Sequence, residues 1–359
     1  MLKDIKETPD ALKAALKAYF DQEKNIKNIK IPVNEQEIEK IYITASGSSR
    51  NAANFAKFFI EKTANIPVIV DYAGEFAHRS PVLNKNDLII SLSQSGETAD
   101  VLAALKKART AGISVFSITN NETSSIHKLA DSGMLILAGT EESIPATKSF
   151  TCQLICLYIF GIHLAEKRNS LPKEEIQAIK EKIFLIPDKI SLAIEEFSEK
   201  INPIALKIKD FNSLIILGRG QNWAFAEEAA LKIQETCYIN AFGFPTGEFM
   251  HGHIAVLDEK SIVLSIQTRA FDDLQSYNLA LKNTQEIKKK RAPFLITIGH
   301  DSSAYPTQSD IFIEIKDQDE IITAFICVII LQLITNKTAE LLGRDVISPR
   351  SLNKALLNE

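Results

Sequence analysis

LIISLSQSGETADVLAALKKART, residues 88–110, is the stretch on which the fold turns. An apolar run of strand length, Leu88 to Leu92, leads directly into Ser93, Gln94, Ser95, Gly96, Glu97 and Thr98. From Glu97 to Thr110, residues Val101, Leu102, Leu105 and Ala108 recur at helical spacing, and Gly112 is placed to end the helix in a left-handed conformation. The pattern is strand, turn, helix. A serine- and glycine-rich turn at that place serves equally well as a plain helix cap. Its spacing also sets hydroxyl and amide donors around free backbone N–H groups at a positive helix end, which is a place for an anion. Neither GxxxxGK[ST] nor GxGxxG is present, so a nucleoside triphosphate or dinucleotide is disfavoured and a monophosphate fits better. Ser48 and Ser49, on the neighbouring strand-to-helix turn, are placed to close the same crevice.

The pattern occurs twice. IYITASG (41–47) resembles LIILGRG (214–220), LIISLSQS (88–95) resembles SIVLSIQT (261–268), and GEFAH (74–78) resembles GEFMH (247–251), each pair 173 positions apart. One ancestral domain is therefore present in two copies. In each, apolar runs of strand length alternate with helical segments, as in βαβ units around a parallel sheet. The expected fold is α/β, with two tandem doubly wound domains. In the first copy strands are expected over 41–46, Val68–Tyr72, Leu88–Leu92, Ile113–Thr119 and Met134–Ala138, and helices over 51–63 and Thr147–Ala165. Thr8 and Pro9 read as an N-cap and first-turn pair for a helix over 9–24. The predicted organisation is a helical segment 1–30, a first domain 31–170, a charged helical connection 171–202, a second domain 203–345 and a tail 346–359.

Composition narrows the partners. At 359 residues, 45% hydrophobic and 24% charged, the chain can build two domains with separate cores. Its 41 basic and 45 acidic residues are interspersed, which favours a small solute over nucleic acid or an anionic membrane. The start, MLKDIKETPDALKAAL, lacks the cationic and apolar regions of a signal peptide, so a cytoplasmic location is expected. The apolar run from Ile321 to Ile334 falls short of the roughly 20 residues that cross a bilayer and reads as a buried helix, with no membrane span. Cys152, Cys156, Cys237 and Cys327 lie in apolar helical patterns without a CxxC pair, so structural thiols are expected and no metal or cofactor.

Taken together, GSSRNAANFAKFFIEK, VDYAGEFAHR, SLSQSGETADVLAALKKA, ATKSFTCQL, ALKIQET, GEFMHGH and DVISPRSLNK resemble the SIS (sugar isomerase) domain pair of glucosamine-6-phosphate synthase and the free-standing hexosamine-6-phosphate deaminases. The resemblance covers nearly the whole chain. The synthase's amino-terminal glutaminase domain has no counterpart ahead of it here, so no glutamine hydrolysis is expected.

Carried over residue by residue, the resemblance makes Ser49, Ser93, Gln94, Ser95 and Thr98 the phosphate and sugar-hydroxyl site. Ile144 and Ala146 of SIPATKSF fall among the sugar-lining positions. Glu235 of ALKIQE resembles the base that moves a proton between C1 and C2, with Lys232 one turn before it; without the resemblance the two read as a surface ion pair. His251 resembles the ring-opening histidine that relatives lend from a neighbouring subunit, which implies a homodimer with a shared active site. Lys354 resembles the tail lysine that forms an imine with the open-chain ketose, and Arg350 matches the arginine of that tail.

Departures limit the substrate. Pro145 and Ala146 stand where relatives carry small or hydroxyl residues, His253 stands at a usual proline, and ALLNE at the end matches neither subgroup. In the second copy SQS has become Ile266, Gln267 and Thr268, so one sugar phosphate per domain pair is expected. The leading expectation is an enzyme interconverting glucosamine 6-phosphate and fructose 6-phosphate with free ammonia. The alternatives are the isomerase half of a glucosamine-6-phosphate synthase, an isomerase for another sugar phosphate, and a sugar-phosphate sensor without turnover. A sensor has no use for Glu235, His251 and Lys354 together.

Overall fold

Apolar strand runs and helical periodicity resolve into ten strands and twelve α-helices in a computed structural model that describes residues 1–269, 274–300 and 308–352. Two compact units divide the chain. One comprises residues 7–141 and 148–187; the other comprises 1–6, 142–147 and 188–352. Helix α1 (Leu2–Tyr19) contributes its first residues to the latter and the rest to the former.

The first unit follows the order β1 (Lys40–Ala45), α2 (Gly47–Ala64), β2 (Val68–Tyr72), α3 (Ala73–His78), β3 (Asp87–Ser93), α4 (Ala99–Thr110), β4 (Ser114–Thr119), α5 (Ser125–Leu129), β5 (Ser132–Leu135) and α6 (Lys148–Arg168). Its parallel sheet has the order β2-β1-β3-β4-β5. β3 is buried along its length, because helices cover both faces of a doubly wound sheet. Phe76, Val101, Ala104 and Leu105 of α3 and α4 pack on Tyr42, Ile89 and Val115.

Helix α7 (Lys173–Lys200) is shared between the two units and contains Pro187. Then come α8 (Asn202–Ile208), β6 (Ser213–Gly218), α9 (Asn222–Cys237), β7 (Asn240–Pro245), α10 (Thr246–Phe249), β8 (Ile262–Gln267), α11 (Leu274–Arg291), β9 (Phe294–Gly299), β10 (Ile311–Glu314) and α12 (Glu320–Leu341). The second sheet, β10-β9-β8-β6-β7, is also parallel. Asp319 caps α12 by accepting the N–H groups of Ile321 and Ile322. α6 and α12 are long and apolar enough to cross a membrane, yet 94% of each apolar window is buried inside the protein. The four cysteines sit in these helices and in α9, all buried, and burial pushes every thiol above its ordinary pKa, Cys237 to about 11.

Three local expectations are corrected. α1 begins at Leu2 and runs through Pro9 rather than starting there. Ile5, Thr8, Leu12, Leu16 and Tyr19 form one buried stripe, and the buried Asp4 carboxylate accepts the N–H groups of Glu142 and Ser143, which fixes the first turn despite the hydrogen bond that Pro9 cannot donate. The helix stops at Tyr19, not residue 24, because the Asp21 side chain takes the N–H groups of Glu23 and Asn25 into a turn. β5 ends at Leu135 rather than Ala138, since Leu137 adopts φ 55.

Candidate active site

In the first sheet the chain leaves β1 and β3 in opposite directions, through α2 to edge strand β2 and through α4 to β4. The first turn of α2, with Ser49, and the Ser93–Thr98 turn thus flank the topological switch point, where doubly wound sheets open a crevice. The second of these turns is internally fixed. Ser93 Oγ and Thr98 Oγ1 lie 2.9 Å apart, Gly96 N–H donates to Ser93 Oγ at 3.1 Å, and Glu97 N–H donates to Ser95 Oγ at 3.1 Å. Outside the turn, Asn120 N–H binds the Gln94 carbonyl and Ser125 N–H binds Glu97 Oε1. Gly96 is demanded by both backbone and space: its φ is +71°, and a Cβ would come within 2.1 Å of Ser124 Oγ. Thr98 is the N-cap residue of α4 but makes no side-chain capping bond. Ser49 accepts a hydrogen bond from Gln153 Nε2 at 2.9 Å.

The second sheet has its own switch point between β6 and β8. Asn222 and Thr268 stand 173 positions after Ser49 and Ser95. There Asn222 Nδ2 donates to the Thr268 carbonyl at 2.8 Å, and Thr268 Oγ1 donates to Asn222 Oδ1 at 2.7 Å. Both side chains are buried and spent on one another.

Helix α9 positions the acid–base candidates. Lys232, 2% exposed, places Nζ 2.5 Å from Glu235 Oε2 and 3.7 Å from Glu228 Oε1. This overturns the surface-pair alternative, for the ammonium is buried between two carboxylates one turn to either side. Such a pairing aims the half-buried Glu235. Glu235 lines a cavity of about 430 Å³ with Leu231, Gln234, Tyr238, Asn240 and Arg350. Glu235 and Arg350, 115 positions apart, are thus brought together. The Arg350 guanidinium lies 4.1 Å from the Tyr238 ring centroid, and Arg350 N–H donates to Tyr238 Oη at 2.9 Å.

Other expected residues fall elsewhere. His251 is exposed on the turn after α10, its N–H bound to the Glu248 carbonyl, and does not line this cavity. Ile144 and Ala146 are half-buried in the segment 142–147, which Asp4 anchors at Ser143 through both N–H and hydroxyl; Ile144 N–H also binds the Ile347 carbonyl at 3.0 Å. Lys354 lies outside the described residues. Sequence reasoning missed Glu228 and Tyr238. Glu228, Lys232 and Glu235 follow one helix face, so the first was recoverable from spacing. A tyrosine in a left-handed helix cap contradicts propensity, and no pattern announced it.

Known proteins share both the sequence pattern and the fold. The SIS domain profile matches residues 36–162 and 207–339. The glutamine–fructose-6-phosphate aminotransferase (isomerizing) of Clostridium acetobutylicum is 35% identical over all of this chain, which spans 59% of that protein's length. The C-terminal domain of glucosamine-fructose-6-phosphate aminotransferase from Francisella tularensis superposes with a TM-score of 0.88 at 31% identity, covering 96% of this chain and 97% of that one. A glucosamine-6-phosphate deaminase from Thermotoga maritima shares the fold, with a TM-score of 0.72 at 22% identity over 99% of this chain and 98% of its own. With both halves of the sequence matched, the chain belongs to the SIS domain family.

Proposed function

We propose that this chain is a phosphosugar isomerase that interconverts glucosamine 6-phosphate and fructose 6-phosphate, releasing or taking up free ammonia. The observation that carries the reading is Glu235, set by buried Lys232 and sharing a cavity with Arg350, in a chain 35% identical to an isomerizing fructose-6-phosphate aminotransferase. In this mechanism Ser49 and the Ser93–Thr98 turn hold the phosphate with the amino end of α4. His251 passes a proton to the ring oxygen as the anomeric hydroxyl loses one. Glu235 takes the proton from C2 of the open-chain aldose and returns it to C1. Lys354, as a neutral amine, forms an imine with the ketose carbonyl by loss of water, and ammonia exchanges with the lysine at that carbon. The test is an assay for ammonia and ketose phosphate across a panel of hexosamine 6-phosphates, and for the amino sugar from fructose 6-phosphate plus ammonium. Absence of both conversions overturns the reading.

The same identity supports a second reading, in which this chain is the isomerase half of a glucosamine-6-phosphate synthase whose nitrogen comes from a glutaminase. Synthesis that runs with glutamine and an added glutaminase but not with ammonium would favour it.

The proposed assembly is a homodimer in which His251 completes the partner's site. It is supported by the exposure of Phe242 (49%) on edge strand β7 and of Val256 (69%) near His251. Light scattering that finds an active monomer would overturn it.

A further inference from the structure

We infer that Tyr238 is a positioning residue whose ring and hydroxyl hold Arg350–Leu352 in place as one wall of the Glu235 cavity. Tyr238 closes α9 at φ 59, ψ 32, in the left-handed region. Glycine or asparagine is the ordinary occupant there, and a bulky side chain is an outlier that points to a role. Glycine would meet the backbone demand but would supply none of the three contacts observed. The guanidinium groups of Arg350 and Arg344 lie 4.1 and 4.9 Å from the ring centroid, and the hydroxyl accepts the Arg350 N–H at 2.9 Å.

The path of the tail shows what these contacts achieve. Asp345 Oδ1 accepts the N–H groups of Ile347 and Ser348, which folds that stretch into a turn of its own. The Ile347 carbonyl is taken by Ile144. Beyond Ile347 the tail is fastened to α9 through Tyr238, three residues after Glu235, and Arg350, Ser351 and Leu352 become cavity wall. One side chain thus fixes the distance between the helix that carries the base candidate and the strand of tail that leads, four positions on, to Lys354. The fastening stands on geometry alone; its effect on turnover rests on the proposed function.

The experiment uses the full chain with Tyr238→Gly, which suits the left-handed backbone, and Tyr238→Phe, which keeps the ring and loses the hydroxyl. Limited trypsinolysis followed by mass spectrometry reads cleavage after Arg350, and turnover of glucosamine 6-phosphate is read in parallel. Tyr238→Gly is expected to raise that cleavage about tenfold, because proteolysis of a locally opened segment tracks its opening, with Tyr238→Phe between it and the unaltered chain. In the same variants kcat falls about ten- to a hundredfold while KM moves by less than about threefold, since the phosphate turn is untouched. Cleavage after Arg350 at the unaltered rate in both variants overturns the inference, as does acceleration spread evenly over remote sites. If Tyr238→Gly does not fold, Tyr238→Phe and Arg344→Gln carry the same comparison. If the unaltered chain turns over no hexosamine 6-phosphate, the proposed function fails and the cleavage result alone decides the role of Tyr238.

Discussion

Asn222 and Thr268 are joined by two hydrogen bonds at 2.8 and 2.7 Å, across the turns where the first copy carries Ser49 and Ser95. The donors that an anion would need in the second crevice are consumed by the protein itself. Calorimetry with a hexosamine 6-phosphate is therefore expected to give one site per chain. Asn222→Ala should cost about 1–3 kcal/mol of stability, the penalty for stranding the buried Thr268 hydroxyl, with sugar-phosphate affinity unchanged. A second binding site in the unaltered chain would contradict this account.

In the first crevice, Ser95→Ala with Thr98→Ala removes two hydroxyls from a turn whose glycine is already fixed by its neighbours. Binding should weaken by roughly 1.5–3 kcal/mol per lost charge-assisted bond, with a smaller change in thermal stability. Equal affinity for a sugar phosphate before and after substitution would remove the phosphate from this turn.

Glu235→Gln is nearly isosteric, so phosphate affinity and fold should persist while turnover falls by about 10²- to 10⁴-fold. Incubation in deuterated water distinguishes a lost base from a lost ion pair. The unaltered chain should place deuterium at C2 of a hexosamine 6-phosphate, and the variant should not. Exchange at equal rates would reduce Glu235 to the structural partner of Lys232.

Asp4 gives a prediction about acid. Burial alone would raise its carboxyl pKa, but the N–H groups of Glu142 and Ser143 and the Ser143 hydroxyl outweigh burial and hold it below the ordinary value. A carboxylate depressed in the folded state stabilises fully above its unfolded pKa, near 4, and that stability is lost as pH falls through the folded value. Asp4→Asn should lower stability at pH 7 and flatten the loss of stability below about pH 4. Parallel acid-unfolding curves for the two proteins would show that Asp4 contributes nothing there.

The repeats at 173 positions are enough to foresee two parallel sheets, because strands covered on both faces are mostly apolar, and β3 and β8, buried along their length, carry runs of Ile, Leu and Val. The serine turn was legible for the same reason, since it interrupts an apolar run at the mouth of a helix. What escaped reading depended on distant partners. Pro9 reads as a helix start because Asp4 meets Ser143 only in the folded chain. Spacing alone makes Lys232 and Glu235 a surface pair, and only the family resemblance makes Glu235 a base, because nothing local reveals that Lys232 is buried. Tyr238 escaped because its ring answers to Arg350 across 112 positions and against its own backbone preference.

Cys152, Cys156, Cys237 and Cys327 lie in the buried helices, with Cys152 and Cys156 in one unit and Cys237 and Cys327 in the other. Alkylating reagents attack thiolates, and these thiols are both hidden and held protonated. Labelling of each pair can therefore proceed only through openings of the unit that contains it. The chain thus carries its own clock for each half: isotope-coded alkylation, read site by site, reports whether the two copies of the ancient duplication come apart together or one before the other.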